Sequence, residues 1–130
     1  MEYEFRINPI GKPRMTQRDK WLNPPRKEVL RYRLAKDAVE YFSQANNFVC
    51  TDILSVDFYI TMPESWSKKK KAMMENQPHQ QKPDIDNLIK FLLDTLLPNG
   101  DEMIHTITAR KMWAYEGTIL INTTDENQEE

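Results

Sequence analysis

The segment that most limits the fold of this chain lies between Pro83 and the Pro98-Asn99-Gly100 stop. From Asp84 to Leu97 it carries Ile85, Leu88, Ile89, Phe91, Leu92, Leu93, Leu96 and Leu97. Proline and glycine bound it on either side, and nothing inside it breaks a helix. Its apolar positions recur at helical spacing but cover much more than a narrow stripe. Such a helix is not stable bare in water. It needs a sheet to cover it, with a partner chain as a further cover for so broad a surface, so the rest of the sequence has to supply strands.

Alternation supplies them. Tyr3, Phe5 and Ile7 share one face of a segment from Glu2 to Ile7, with Glu2, Glu4 and Arg6 on the other. Asn8-Pro9-Ile10-Gly11 ends that strand in a turn. A second strand is expected within Phe48 to Met62, with Ile53, Val56, Phe58 and Ile60 apolar and Pro63 ending it; the imperfect alternation near Leu54-Ser55 leaves open a bulge or a different strand boundary. Met103 to Lys111 and Tyr115 to Asn122 read as two more, joined as a hairpin through Ala114 to Gly117. Between the first two strands lies an irregular basic loop, Lys12 to Pro25. A helix follows from Arg26 to Asn46, its apolar face formed by Val29, Leu30, Leu34, Ala38, Val39 and Phe42. Glu64 to Asn76 reads as a short helix with Ser67 as a candidate cap. The order is strand, helix, strand, short helix, helix, strand, strand. It predicts one α+β domain over residues 1–124, a small mixed sheet with two long helices packed on it, and an acidic tail over 125–130.

Composition removes several function classes. No apolar run approaches the roughly 20 residues that cross a bilayer, so no membrane partner is expected. The chain has 1 cysteine, Cys50, so an internal disulfide is impossible; with the absence of a signal-peptide pattern, this favours a reducing cytoplasmic setting. There is no Cys/His zinc cluster, no glycine-rich phosphate loop and no serine-hydrolase elbow, and no nucleotide cofactor is expected. His79 and His105 read as structural. Net charge is -2, which does not itself favour nucleic acid. Its distribution does: Met1 to Lys36 holds 10 Lys/Arg against 4 Asp/Glu, and Lys68 to Lys71 form a second basic run. Local patches, not totals, set the field near a phosphate backbone. Lys12, Arg14, Arg18 and Lys20, with Arg26, Lys27 and the interleaved Trp21, make the candidate DNA-contacting surface.

The candidate chemistry lies in Lys82-Pro83-Asp84-Ile85-Asp86-Asn87-Leu88-Ile89-Lys90. Two carboxylates two residues apart face away from each other inside a helix. They converge only if Asp84 stays on an extended lead-in and Asp86 occupies the first turn. That arrangement suits Mg²⁺, which takes hard oxygen ligands and completes its shell with water and substrate phosphate. Lys90 lies one turn past Asp86, where it can meet developing charge on a phosphate. Asp101, after the Pro98-Asn99-Gly100 turn, is the candidate third acid, and Asp94 a weaker one able to pair with Lys90. The simpler use of the same residues is a helix cap, a charge at the helix dipole, a surface ion pair and a solvated turn.

Asp84-Ile85-Asp86-Asn87-Leu88-x-Lys90, followed by Asp94, Gly100-Asp101 and the strand from Ile104, resembles the RusA family of Holliday junction resolvases. So does the opening strand followed by Pro9-x-Gly11-Lys12-Pro13-Arg14. The resemblance runs from about residue 3 to about residue 122. It implies a small homodimeric endodeoxyribonuclease, often phage- or prophage-encoded in bacteria, that uses Mg²⁺ (with Mn²⁺ as a substitute) to cut opposed strands of branched, four-way DNA. By the resemblance, Asp84, Asp86 and Asp101 are the metal-binding catalytic aspartates, Lys90 the catalytic lysine and Lys111 a DNA contact. The family often has adjacent aspartates at the third position; here Asp101 is followed by Glu102, so either is open as the third ligand. The competing readings are a non-catalytic DNA-binding protein of a mobile element, a general branched- or single-strand nuclease, and an interaction protein whose acids are only caps and turns.

Overall fold

A computed structural model of the protein describes residues 1–124. Its strands are β1 (Glu2–Phe5), β2 (Ile53–Thr61), β3 (Thr106–Ala114) and β4 (Thr118–Thr124); its helices are α1 (Lys27–Ala45), α2 (Lys68–Met74) and α3 (Ile85–Leu96). The class is α+β and the element order is the expected one. The helices are unequal, with 19 residues in α1, 12 in α3 and 7 in α2. The acidic tail lies outside the described residues.

The sheet order is β1-β4-β2-β3. β2 is central: it pairs in parallel with β3 and antiparallel with β4, and β4 pairs antiparallel with β1. The expected hairpin between the last two strands is therefore absent. Residues 115–117 instead carry the chain across the end of β2, where Met62 N donates to Ala114 O at 2.9 Å. The cause is the burial of β2. Leu54, Val56, Phe58 and Ile60 leave little or nothing exposed, and a strand so placed needs both edges paired. Of the two readings of the irregularity near Leu54-Ser55, the bulge is absent, because the register runs unbroken from Ile53 through Tyr59 on both sides, and the boundary is what differs, since β2 begins at Ile53. Leu54, not Ile53, shares the core face with Val56, Phe58 and Ile60.

Parallel pairing of β2 with β3 requires a long crossover, and the segment holding α2 and α3 provides it. Leu88, Phe91, Leu92 and Leu96 of α3 enter one core with Tyr3, Phe5, Val39, Ile119 and Ile121. The main apolar face of α3 thus covers this chain's own sheet. Residues 48–52 are not strand, as the sequence suggested; Phe48 caps the core edge-on to Tyr3, ring centroids 4.8 Å apart. Likewise β3 starts at Thr106 rather than Met103, since Ile104 N turns back to Asp101 O at 3.1 Å. Ser67 does cap α2, its Oγ accepting from Lys70 N at 3.1 Å. No described helix is long and apolar enough to cross a membrane.

Candidate functional site

Three local devices place the start of α3. First, the segment before it is stitched along the outer edge of β3. Asn76 N donates to Trp113 O at 2.9 Å, Trp113 N to Gln77 O at 3.0 Å, and His79 N to Lys111 O at 3.0 Å. Second, Lys111 reaches from β3 to the same segment, donating from Nζ to Gln81 O at 2.5 Å and to Pro83 O at 2.8 Å. Third, the N-terminal turn closes over the helix. Asn8 Oδ1 accepts from Thr61 N and Oγ1, both at 3.1 Å, and Gly11 sits so close to α3 that a Cβ there would lie 2.5 Å from Asn87 Nδ2 and 3.0 Å from Pro83 Cβ. This close approach is what the glycine of Pro9-x-Gly11-Lys12 serves.

Asp84 stands where the spacing argument required it. Its backbone is extended (φ -66°, ψ 149°) and its carbonyl accepts from Asn87 N and Leu88 N, both at 3.1 Å, to open the helix. Its carboxylate makes no capping bond. Asp86 follows in the first turn, and both side chains are exposed. Among the described residues neither carboxylate is taken by a hydrogen bond or ion pair, and the same holds for Asp101 and for the ammonium of Lys90. The simple uses as side-chain cap and as an Asp86–Lys90 surface pair are therefore not realised.

Asp84 lines a hollow of about 600 Å³ together with Gly11, Lys12, Arg31, Lys82 and Asn87. Asp101 lies elsewhere, past the far end of α3, in a second hollow of about 370 Å³ with Lys12, Lys36 and Asp94. Twelve helical residues rise about 18 Å. The three aspartates do not come together: among the described residues no group of three His, Cys, Asp or Glu is arranged to hold a metal ion. The donor chemistry at Asp84 and Asp86 nonetheless fits a hard cation, being two unengaged carboxylates at a helix N-terminus beside solvent. Glu102 folds back over Gly100, where a Cβ would meet its carboxylate, while Asp101 faces the hollow.

Lys12 belongs to both hollows and is bonded to α3, its Nζ donating to Asp94 Oδ2 at 2.5 Å. Asp94 therefore pairs with Lys12 and not with Lys90. That hydrogen bond holds the Lys12 pKa above the ordinary lysine value.

The basic loop is ordered around Asp19, which the sequence reading passed over. Asp19 is buried and accepts from Arg26 Nε and Nη2, both at 2.8 Å, and from Thr16 N at 2.7 Å. These bonds, Arg26's first, keep its carboxyl far below the usual range. Arg33 Nη2 adds a bond to Asp19 O at 3.2 Å. The only sequence signal was a lone acid inside a basic stretch. Arg26 is thus engaged in holding the loop, whereas Arg14, Arg18, Lys20 and Trp21 are exposed, the indole at 83%. On α2, Lys70 sits 4.1 Å over the Trp66 ring, which packs at a tilt against Trp113, centroids 4.7 Å apart. His79 packs 4.2 Å from Trp113 in the interior, and His105 bonds Thr106 Oγ1 at 2.8 Å.

The sequence matches the family model described as endodeoxyribonuclease RusA over residues 5–123. No curated protein and no solved structure matches it.

Proposed function

This chain belongs to the RusA endodeoxyribonuclease family, and from that premise we propose that it resolves four-way DNA junctions by paired, symmetric, metal-dependent nicks. The family match over nearly the whole chain carries this reading. The unengaged carboxylates of Asp84 and Asp86 on a firmly held helix start support it.

Asp84 and Asp86 would hold a Mg²⁺ ion, with Mn²⁺ as a substitute and Asp101 as the third acid. Such an ion would lower the pKa of a bound water, making hydroxide available to attack the phosphate, and would act as a Lewis acid toward the departing oxygen. The chain's own groups do the rest. Arg31 and Lys82, joined by Lys12 once its bond to Asp94 opens, bring positive charge to the hollow beside Asp84 and hold the strand's phosphates there. Lys90, exposed one turn past Asp86, meets charge that develops on the cleaved phosphate. Arg14, Arg18 and Lys20 grip a DNA arm, and Trp21 stacks on a base.

A homodimer suits this substrate, because a two-fold protein offers one cutting site to each of two opposed strands. The main apolar face of α3 is already occupied. Leu30, Leu34 and Tyr41 of α1 stay 46%, 60% and 65% exposed and form the apolar surface left for a second copy. The setting is the cytoplasm of a bacterium carrying the gene on a phage or prophage.

One observation favours a second reading: the separation of Asp101 from Asp84 and Asp86 fits a DNA-binding protein without catalysis. Cleavage of a synthetic four-way junction, a splayed duplex and a linear duplex with Mg²⁺, beside Asp86→Asn protein, decides. Paired nicks on the junction that vanish in the variant establish the resolvase. Equal cutting of all branched forms makes it a general branched-DNA nuclease. Binding without cleavage in Mg²⁺ or Mn²⁺ sinks the enzymatic reading.

A further inference from the structure

We propose that Lys111 is a positioning residue for Asp84, acting through the backbone that carries it. This deepens the reading above and rests on Asp84 being a metal ligand. Lys111 pairs in parallel register with Phe58. Strand alternation therefore puts its side chain on the helix-covered face, with Ile107, Ala109 and Trp113. A lysine on that face keeps its charge only if its hydrogens find acceptors. The ammonium has three. Two of them go to Gln81 O at 2.5 Å and Pro83 O at 2.8 Å.

The consequence is geometric. Two carbonyls two residues apart are drawn to one nitrogen, so the backbone of residues 81–83 is fixed against β3. Pro83 O belongs to the peptide group that joins Asp84. Upstream, the bond from His79 N to Lys111 O fixes the same segment through the main chain of the same residue. Lys111 thus holds the lead-in at two points, and α3 begins immediately beyond the second. The helix is anchored by its buried leucines and Phe91, but the extended residue ahead of it has no such anchor. Asp84 is exposed and its carboxylate has no partner of its own. Its position is set by what holds Pro83. A metal ligand on a loosely held backbone loses affinity, since each binding event must first order it; losing a residue that orients a ligand typically weakens metal binding about 10- to 100-fold.

A direct DNA contact makes a different prediction. Losing a phosphate contact weakens DNA binding without metal and lowers its salt slope by about one unit. The experiment uses full-length Lys111→Met, Lys111→Gln and Lys111→Arg proteins. Mn²⁺ affinity is read from the free-ion signal in electron paramagnetic resonance, and junction affinity is measured in EDTA across a salt series. The two neutral variants are expected to fold and to bind Mn²⁺ at least about tenfold more weakly. Lys111→Arg, which keeps the donors, is expected to recover most of the loss. Junction affinity in EDTA and its salt slope should match wild type. Wild-type Mn²⁺ affinity in a folded neutral variant overturns the proposal, as does a loss of metal-free junction binding. Failure of both neutral variants to fold would make Lys111 a folding residue and overturn it too. If wild type takes up no Mn²⁺, the metal reading itself fails and the proposal falls with it. If wild type binds the ion and Lys111→Met binds it equally, only the role of Lys111 falls.

Discussion

Lys12 and Asp94, 82 residues apart in sequence, are joined ammonium to carboxylate, and the bond fastens the N-terminal loop to the last turn of α3. Both side chains are more than a third exposed, so the pair contributes under about 1 kcal/mol to stability. Its larger effect is to occupy a cation that lies between the two hollows. Asp94→Asn should leave the melting temperature nearly unchanged and free Lys12 for phosphate. Junction binding in EDTA should then tighten, with a salt slope steeper by about one unit. An unchanged slope would mean that Lys12 does not reach DNA even when released.

Gly11→Ala places a methyl against Asn87 and Pro83. Overpacking of this kind costs about 1–3 kcal/mol. The strain falls on the helix start, so cleavage should drop more than stability alone explains. Adding Asn87→Ala removes the nearer clash and should restore part of the melting temperature. If the double variant melts no higher than Gly11→Ala, the contact with Pro83 dominates.

Asp101→Asn should abolish junction cleavage and Glu102→Gln should spare most of it, because Asp101 faces the hollow while Glu102 lies over Gly100. Subunit mixing then asks how Asp101 reaches the other two acids. An Asp84→Asn chain and an Asp101→Asn chain are each expected to be inactive. Combined, they should recover part of the cleavage, because one chain holds these acids near opposite ends of α3. No recovery on mixing would place all three acids in a single protomer, brought together by movement of the turn after α3.

His79 is buried, its Nδ1 has no hydrogen-bond partner, and burial followed by the charge of Lys111 lowers its pKa below the ordinary 6.5. The unfolded chain therefore takes up a proton on this side chain before the folded one does. Stability from a neutral His79 is full above the unfolded pKa, and it is lost as pH falls below that value and through the lower folded one. Urea midpoints at pH 7.5 and 5.5 should fall further for wild type than for His79→Leu. Parallel losses would assign the acid sensitivity to other groups.

What the sequence disclosed and what it hid divide along physical lines. The start and stop of α3, and the extended placement of Asp84, follow from local rules: proline before, Pro-Asn-Gly after, and helical spacing between. Ser67 as a cap is equally local. Strand order is not. Nothing near β3 or β4 says that β2 will lie between them; that follows from burial of Leu54, Val56, Phe58 and Ile60 in the assembled sheet. Asp19 was hidden because an ion pair within a loop has no period. Lys111 was partly legible: parity with Ile107 and Ala109 already put it on the apolar side of its strand, which is an odd place for a DNA contact.

The pairing of Tyr3 with Ile121, at opposite ends of the described chain, also bears on when the site around α3 takes shape. Asn8 sits against Gly117 so tightly that a Cβ there would come within 2.4 Å of its Cα. The turn that closes over Asn87 and Pro83 thus gets its seat from residues made late in synthesis. Contacts of such long sequence range form slowly. A nascent chain halted before residue 118 already carries Asp84, Asp86 and Asp101, but neither β4 nor the footing that β4 gives the N-terminal turn. Until β4 is in place, the turn over Asn87 and Pro83 lacks that footing, so the segment carrying Asp84 takes its final seat only after residues 118–124 have joined the sheet.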